Sequence, residues 1–364
     1  MRKFKRVFSN LEDPRASNAR HDLLEIVFIA LAATLCGAQH CTEMAQFGRS
    51  KEALLRQLLS LEHGIPSHDT FSTVFRVLDP HVFVAALGKF TKAFNRRLDK
   101  HKTIAIDGKA LRGAYRRGER FTPLHLVNVW ASQARMALAQ RKAPNRNEIA
   151  AALEALALLD LDGAIVTADA LYCTVAMAKI ILDRKGHYVL ALKKNRARLF
   201  TVTEARLKAA RGASRARQPT ALLHDRHERR SAVVMPAPDM AEQYGFPGLK
   251  AIGRIDSWRR SGVTPAKRKV RYFLLSRKLS AAQLLKTVRG HWGIENNLHW
   301  ILDVVFGEDR CRSRMDHAPE NLAVLRKLAI NMLQASPYTA SMRRKMLHAA
   351  WNDDFLLSLF AHMR

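Results

Sequence analysis

Apolar positions over residues 1–97 recur three or four apart, the spacing of helices with one buried face. Asp22 with Glu25 three residues on has the form of a capping box and opens an apolar helix over 23–36. A second helix is predicted over 42–60. Ser67 caps a third, which runs through Phe71, Val74, Phe75 and Leu78 and is ended by Asp79-Pro80. A fourth covers 81–97. Short helices with tight turns suit a helix-turn-helix-like reader of DNA. They suit equally a bundle that only packs on its neighbour, and the pattern does not choose.

From residue 102 the period changes. KTIAID (102–107) reads as a short buried strand closed by Asp107 and the turn residue Gly108. LHLVNVWA (124–131) and RMALAQRK (135–142) form a predicted hairpin across 132–134. Asn147 caps a helix beginning EIAAALEALALLDL, and AIVTADA (164–170) is a second apolar strand that ends at an aspartate, Asp169. A helix over 174–185 and a strand over 187–194 follow. Helices alternating with strands imply an α/β sheet with helices on its faces.

Residues 195–280 break this rhythm and read as an inserted, mostly β segment with a cationic face, a solvated loop being the alternative for about 206–220. From 281 the pattern is helical again. Gly290 and Gly293 predict a break, with a new helix near 292, one around 319–334 and a last one near 351–362.

Charge sharpens the picture. Among 364 residues, Lys plus Arg number 61 against 32 Asp plus Glu, a formal net charge of +29. A field of that sign predicts attraction to polyanions, nucleic acid first. Between Lys193 and Arg230 stand twelve basic residues and three acids, and 258–278 holds eight basic residues and no acid. Trp258, Arg259 and Arg260 in the second run combine an aromatic ring with cations, a composition that suits DNA contact. The four cysteines form no CxxC pair, which argues against a structural zinc. The apolar run 23–36 is too short to cross a bilayer, and no signal peptide is visible, so a cytoplasmic setting is expected.

Three carboxylates lie where carboxylates are costly. Asp107 and Asp169 each follow an apolar strand, and Glu295 sits in HWGIENNLHW among aromatic and apolar neighbours. On a helix, His291, Glu295, Leu298, His299 and Leu302 share a side. Adjacent strands would bring both aspartates to one sheet edge. Divalent cations would relieve the repulsion, and oxygen ligands favour two Mg²⁺ or Mn²⁺ ions, a standard arrangement for displacement at a phosphodiester. Asp303, Glu308 and Asp309 are rivals for the third ligand, and spacing alone does not decide among them.

The chain resembles the bacterial insertion-sequence transposases of the H-repeat-associated family, a branch of the DDE transposases with a ribonuclease-H-like catalytic domain. The resemblance rests on LEDPR (11–15), GIPSHDTFSTVFRVLDP (64–80), AIDGKALRG (105–113), NEI (147–149), IVTADALYC (165–173), YVLALKKN (188–195), HWGIENNLHWILDVVFGED (291–309) and PENLAVLRKLAINML (319–333). It implies an α/β, ribonuclease-H-like core over 98–340 with a basic insertion at about 195–280. A small all-α domain over 1–97 precedes it and a helical tail over 341–364 follows.

By resemblance Asp107, Asp169 and Glu295 are the catalytic, metal-binding carboxylates, which selects Glu295 over its rivals. The family's signature around the glutamate carries tyrosine, arginine and lysine, where this chain has Val288, His291 and Leu302. Candidate DNA contacts are therefore His291, Arg289, Lys193, Lys194, Lys109 and Arg112, together with Trp258, Arg259 and Arg260. The implied partners are the element's terminal inverted repeats and target DNA, with a homodimer and no membrane. Another two-metal nuclease on the same core, or an inactive DNA-binding relic, are the alternative readings.

Overall fold

A computed structural model describes residues 2–95, 102–115, 123–223, 226–261 and 267–361. The first helices are α1 (Arg2–Val7), α2 (Leu23–Leu35), α3 (Cys41–Ser50), α4 (Glu52–Leu55), α5 (His68–Val77) and α6 (Pro80–Asn95). Asp22 caps α2 through the Glu25 amide at 3.0 Å, as expected. Glu25 does not complete the box: its carboxylate reaches across to the backbone N–H groups of Ser60 and Leu61. The helix predicted over 42–60 is accordingly two shorter helices and a turn. Residues 96–97 of the predicted fourth helix, and the expected boundary at 97/98, lie outside the described residues.

Next come β1 (Thr103–Tyr115), β2 (Pro123–Ala131), β3 (Met136–Lys142), α7 (Glu148–Ala157), β4 (Ile165–Ala168), α8 (Val175–Asp183), β5 (His187–Leu192) and α9 (Ala197–Lys208). They continue with β6 (Ser214–Leu223), β7 (Arg226–Pro236), α10 (Asp239–Gln243), β8 (Ala251–Ser261), β9 (Lys267–Leu275) and α11 (Ala281–His291). The last helices are α12 (Ala318–Ala335), α13 (Met342–Trp351) and α14 (Asp353–Ala361). Among the described residues the strands form one nine-stranded sheet in the order β3-β2-β1-β4-β5-β9-β8-β7-β6. The pairs β1–β4 and β4–β5 are parallel and the others antiparallel.

The central strands read as continuous apolar runs because both their faces are covered. One face packs on α7 and α8 through Ile104, Ile106, Val166, Ala152 and Ile181. The other packs on α11 and α12 through Ala105, Trp130, Ile165, Leu284 and Leu328. The segment after β5 extends this same sheet. Over 206–220, where a solvated loop was the alternative, the chain forms the end of α9 and the start of β6. Leu199, Thr203 and Leu207 bury a helical face there, while Arg215 and Arg217 alternate outward along a strand. The first and last helices share one core, with the Phe28 and Phe360 rings stacked at 4.3 Å and Phe4 against Phe28 at 5.1 Å. Among the described residues no single helix is long and apolar enough to cross a membrane.

Candidate active site

Side chains alternate along β1, so Ala105, Asp107 and Lys109 face α11 and α12 while Ile104, Ile106 and Gly108 face α7. Asp107 does not close its strand. β1 continues alongside β2 to Tyr115, whereas its parallel partner β4 ends where Ala168 pairs with Ile106. Asp107 therefore stands one step beyond the last parallel pair, level with Asp169 at the end of β4.

Glu295 comes from the other side. α11 opens with a complete capping box, Ser280 with Gln283. As the two glycines predicted, α11 ends at His291, and after a turn at Trp292 the chain resumes and passes into wide π-helical turns, Glu295–His299 and Ile301–Val305. Ile294, Leu298, Leu302 and Phe306, each four residues on, are all buried, and a turn wider than 3.6 residues keeps that repeat on one side. The wide turns aim Glu295 back at β1.

Ligand atoms of Asp107, Glu295 and His299 all lie within 4.8 Å of one another. His299 Nδ1 is 3.3 Å from Glu295 Oε2 and 3.8 Å from Asp107 Oδ2. Asp169 borders the same cavity of about 650 Å³, which is also lined by Thr167, Lys193, Lys194, Lys269, Arg271 and His291. Burial, and then the neighbouring Glu295, raise the Asp107 carboxyl above its ordinary range. The hydrogen bond from His299 is the main cause of the opposite, downward shift of Glu295. For Asp169, burial acts upward, but the Ala170 amide and the Lys193 ammonium at 3.1 Å outweigh it and hold the carboxyl low.

These groups fit a divalent cation. Asp107 and Glu295 converge in a partly buried cavity where their ion-pair partner is His299, with no lysine or arginine between them among the described residues. One buried polar atom beside them lacks a partner. Asn128 pairs with Asp107 across β1 and β2, its Nδ2 lies 3.3 Å from His299 Nε2, and its Oδ1 has no hydrogen bond. Turning that amide lets Oδ1 accept from Nε2–H; in that tautomer Nδ1 no longer donates to Glu295, and its lone pair is free to serve as a ligand beside the carboxylates. His299 and Asn128 thus join the site, although the sequence pattern only placed His299 on the side of Glu295.

The expected DNA contacts divide. Lys193 is 65% exposed, and Lys194 stands exposed beside it on the cavity wall. Arg289 and Arg259 line a second cavity of about 940 Å³ with Arg135 and Arg230, and it meets the first at Trp292 and Glu295. Arg112 and Arg260 are exposed. His291 is neutral near pH 7: burial pulls its ring down to about 4, and Nδ1 lies 3.1 Å from the Thr167 hydroxyl. Trp258 lies against the guanidinium groups of Arg229 at 4.7 Å and Arg268 at 5.7 Å.

Lys109 departs from its expected place on the DNA surface. It is buried, with its ammonium 2.6 Å from Asp303, 3.2 Å from Glu308 and 3.4 Å from Asp309. Those acids, the rivals for the third ligand, are turned inward to neutralise it. Arg271, 4.7 Å from the Trp292 ring centre, is a cavity cation the sequence reading missed.

Comparison with known proteins adds lineage. Residues 5–91 match the model described as DDE_Tnp_1-associated and residues 98–332 match the transposase DDE domain. The chain is 32% identical over 95% of its length to the putative protein YbfL of Escherichia coli (strain K12), covering 94% of that relative. It is likewise 32% identical to the H repeat-associated putative transposase YhhI of the same strain, over 94% of this chain and 93% of the relative. An uncharacterized protein in the dhlA 3′ region of Xanthobacter autotrophicus is 38% identical over 69% of this chain and 87% of its own. Among solved structures, the piggyBac transposase synaptic complex with hairpin DNA aligns at TM-score 0.48 and 14% identity, over 100% of this chain and 80% of that one.

Proposed function

The chain belongs to the transposase DDE domain family, and from that premise we propose that it cleaves DNA at the ends of an insertion sequence and joins the freed 3′-hydroxyl to target DNA. The observation that carries this is the meeting of Asp107, Asp169 and Glu295 at one cavity walled by Lys193, Lys194, Lys269 and Arg271. The order β3-β2-β1-β4-β5, three antiparallel strands followed by two parallel ones, supports a ribonuclease-H-like core. Its insertion enters after β5 and returns to the glutamate through α11.

Asp107, Asp169 and Glu295, with His299 beside them, would hold two Mg²⁺ or Mn²⁺ ions. Bound there, such ions polarise the scissile phosphate and make water or a 3′-hydroxyl nucleophilic at neutral pH. The protein's own part is positioning and charge compensation. Lys109 ties the strand bearing Asp107 to the segment that follows Glu295. The lysines and arginines of the two cavities hold the backbone of the reacting strand. The amino-terminal helices and the insertion grip double-stranded DNA at the inverted repeats. Two element ends are brought together by two copies of the chain, acting in the cytoplasm.

Incubation with duplexes carrying the element's ends, their flanks and Mn²⁺ tests this: nicked ends followed by joined products are expected. Cutting without joining is the outcome for a plain two-metal nuclease, and binding without cutting is that of a relic. Arg289→Ala and Lys194→Ala should each weaken binding equally for every sequence and lower the slope of log affinity against log salt by about 1. Titration of a labelled duplex between about 50 and 200 mM salt reads this; an unchanged slope removes that residue from the DNA path.

A further inference from the structure

Behind the carboxylates, on the opposite face of the sheet, three polar side chains meet that the chemistry above does not use. Glu148, the first residue of α7, accepts a hydrogen bond from the Tyr172 hydroxyl at 2.7 Å. Its other oxygen lies 3.1 Å from His125 Nδ1 on β2. The Glu148 side chain is only 17% exposed, that of His125 20%, and Tyr172 is buried. Asn147 caps α7 through the Ala150 amide, which fixes where Glu148 begins. Both residues belong to the NEI block of the sequence.

Gly108, next to Asp107, shows how tightly this group abuts the site. A Cβ at 108 would fall inside contact distance of the Glu148 carboxylate. The strand beside the metal-facing aspartate can pass only because it carries no side chain there.

The pairing pattern gives this contact a task. β1 and β4 are paired up to Ile106 and Ala168, and beyond that point the sheet no longer sets the spacing between Asp107 and the turn that carries Asp169. Asn195 holds the Ala170 carbonyl of that turn from the β5 side at 2.9 Å. On the β1 and β2 side, the tie runs from Tyr172, three residues after Asp169, through Glu148 to His125. We propose that Glu148 is a positioning residue, which through Tyr172 and His125 clamps the turn after Asp169 against β1 and β2 and so sets the separation of the two aspartates for divalent cations. The inference rests on the metal-site reading given above. Groups behind the ligands commonly matter nearly as much as the ligands themselves.

The test compares full-length wild type with Glu148→Ala, Tyr172→Phe and Glu148→Gln. Free Mn²⁺ is followed by electron paramagnetic resonance, and melting in chelator serves as the control for folding. Glu148→Ala and Tyr172→Phe should weaken Mn²⁺ binding by about 10- to 100-fold. The Mn²⁺ concentration giving half-maximal cleavage should rise by the same factor. Glu148→Gln, whose amide can accept from Tyr172 and donate to His125, should stay within about threefold. That rescue separates positioning from a general loss of stability, and Tyr172→Phe, which removes a single oxygen, carries the test if Glu148→Ala fails to fold. Wild-type Mn²⁺ affinity in Tyr172→Phe or in folded Glu148→Ala overturns the assignment. So does Glu148→Gln as weak as Glu148→Ala, which would make charge, not geometry, the property that counts. A wild-type protein that binds no Mn²⁺ overturns the metal-site reading itself, a failure distinct from wild-type binding that the variants share.

Discussion

Asp107→Asn, Asp169→Asn and Glu295→Gln should each lower DNA cleavage by at least about 10³-fold, roughly 4 kcal/mol of barrier, with duplex affinity kept within about threefold. The three side chains reach one cavity from three parts of the chain, and the cations that would attract DNA are other residues. Removing one carboxylate oxygen charge therefore removes ligand chemistry without stripping the basic walls. The metal-free proteins should differ in a second, independent way. Asp107 and Glu295 have ligand atoms within 4.8 Å of each other, and two unit charges at that distance repel by roughly 3 kcal/mol at an effective dielectric near 20. Asp107 escapes that repulsion at neutral pH, because its carboxyl, raised to about 8, keeps its proton. Asp107→Asn should therefore leave the melting temperature in chelator near wild type there and raise it only at alkaline pH, while the gain on adding Mn²⁺ disappears. Asp169 is half-exposed and already paired with Lys193, so Asp169→Asn should move chelator stability little. Gel assays of end cleavage, beside melting curves with and without Mn²⁺, check both halves. Undiminished cutting by any one variant takes that carboxylate out of the chemistry.

Much of this site was legible because carboxylates in apolar surroundings need a reason. The aspartates after KTIA-type and AIVTA-type strands, and the glutamate inside an aromatic block, were conspicuous in the linear sequence. Strand length was not. β1 runs on past Asp107 because β2 keeps pairing with it, and pairing partners cannot be read from a single strand. Lys109 looked like a surface cation because the acids that bury it, Asp303, Glu308 and Asp309, come nearly two hundred residues later. The π-helical turns were also hidden, since Gly290 and Gly293 announced the end of α11 at His291 but not the width of the turns that follow. The recurrence of Ile294, Leu298, Leu302 and Phe306 every four residues was the available clue. In the insertion, dense Arg and Lys masked the apolar face of α9, whose Leu199 and Leu207 are buried while its charges point outward.

Glu308→Gln should destabilise the protein by about 3–5 kcal/mol, the range for stripping one partner from a buried ion group. The Glu308 side chain is 1% exposed, and Lys327 is fully buried. Around Glu308 lie Lys109 at 3.2 Å and Arg326 at 4.0 Å. Neither carboxylate oxygen makes a hydrogen bond of good geometry, so the attraction is electrostatic and an amide cannot replace it. Burial alone would raise the Glu308 carboxyl, but Lys327, Lys109 and Arg326 together hold it below the ordinary range. Burial in turn pulls the Lys327 ammonium down to about 8, even with Gln140 Oε1 accepting from it at 2.7 Å. A carboxyl whose pKa is lower folded than unfolded contributes stability above its unfolded pKa and loses it as pH falls through the folded value. Wild type should therefore lose this contribution in acid below the ordinary glutamate range, and Glu308→Gln should show a flatter acid limb. Adding Lys327→Met removes the cation left without its counter-charge and should recover more than half of the loss. Urea unfolding of the single and double variants reads the interaction directly. Strict additivity would show that Glu308 and Lys327 do not compensate each other across the helix beneath the active site.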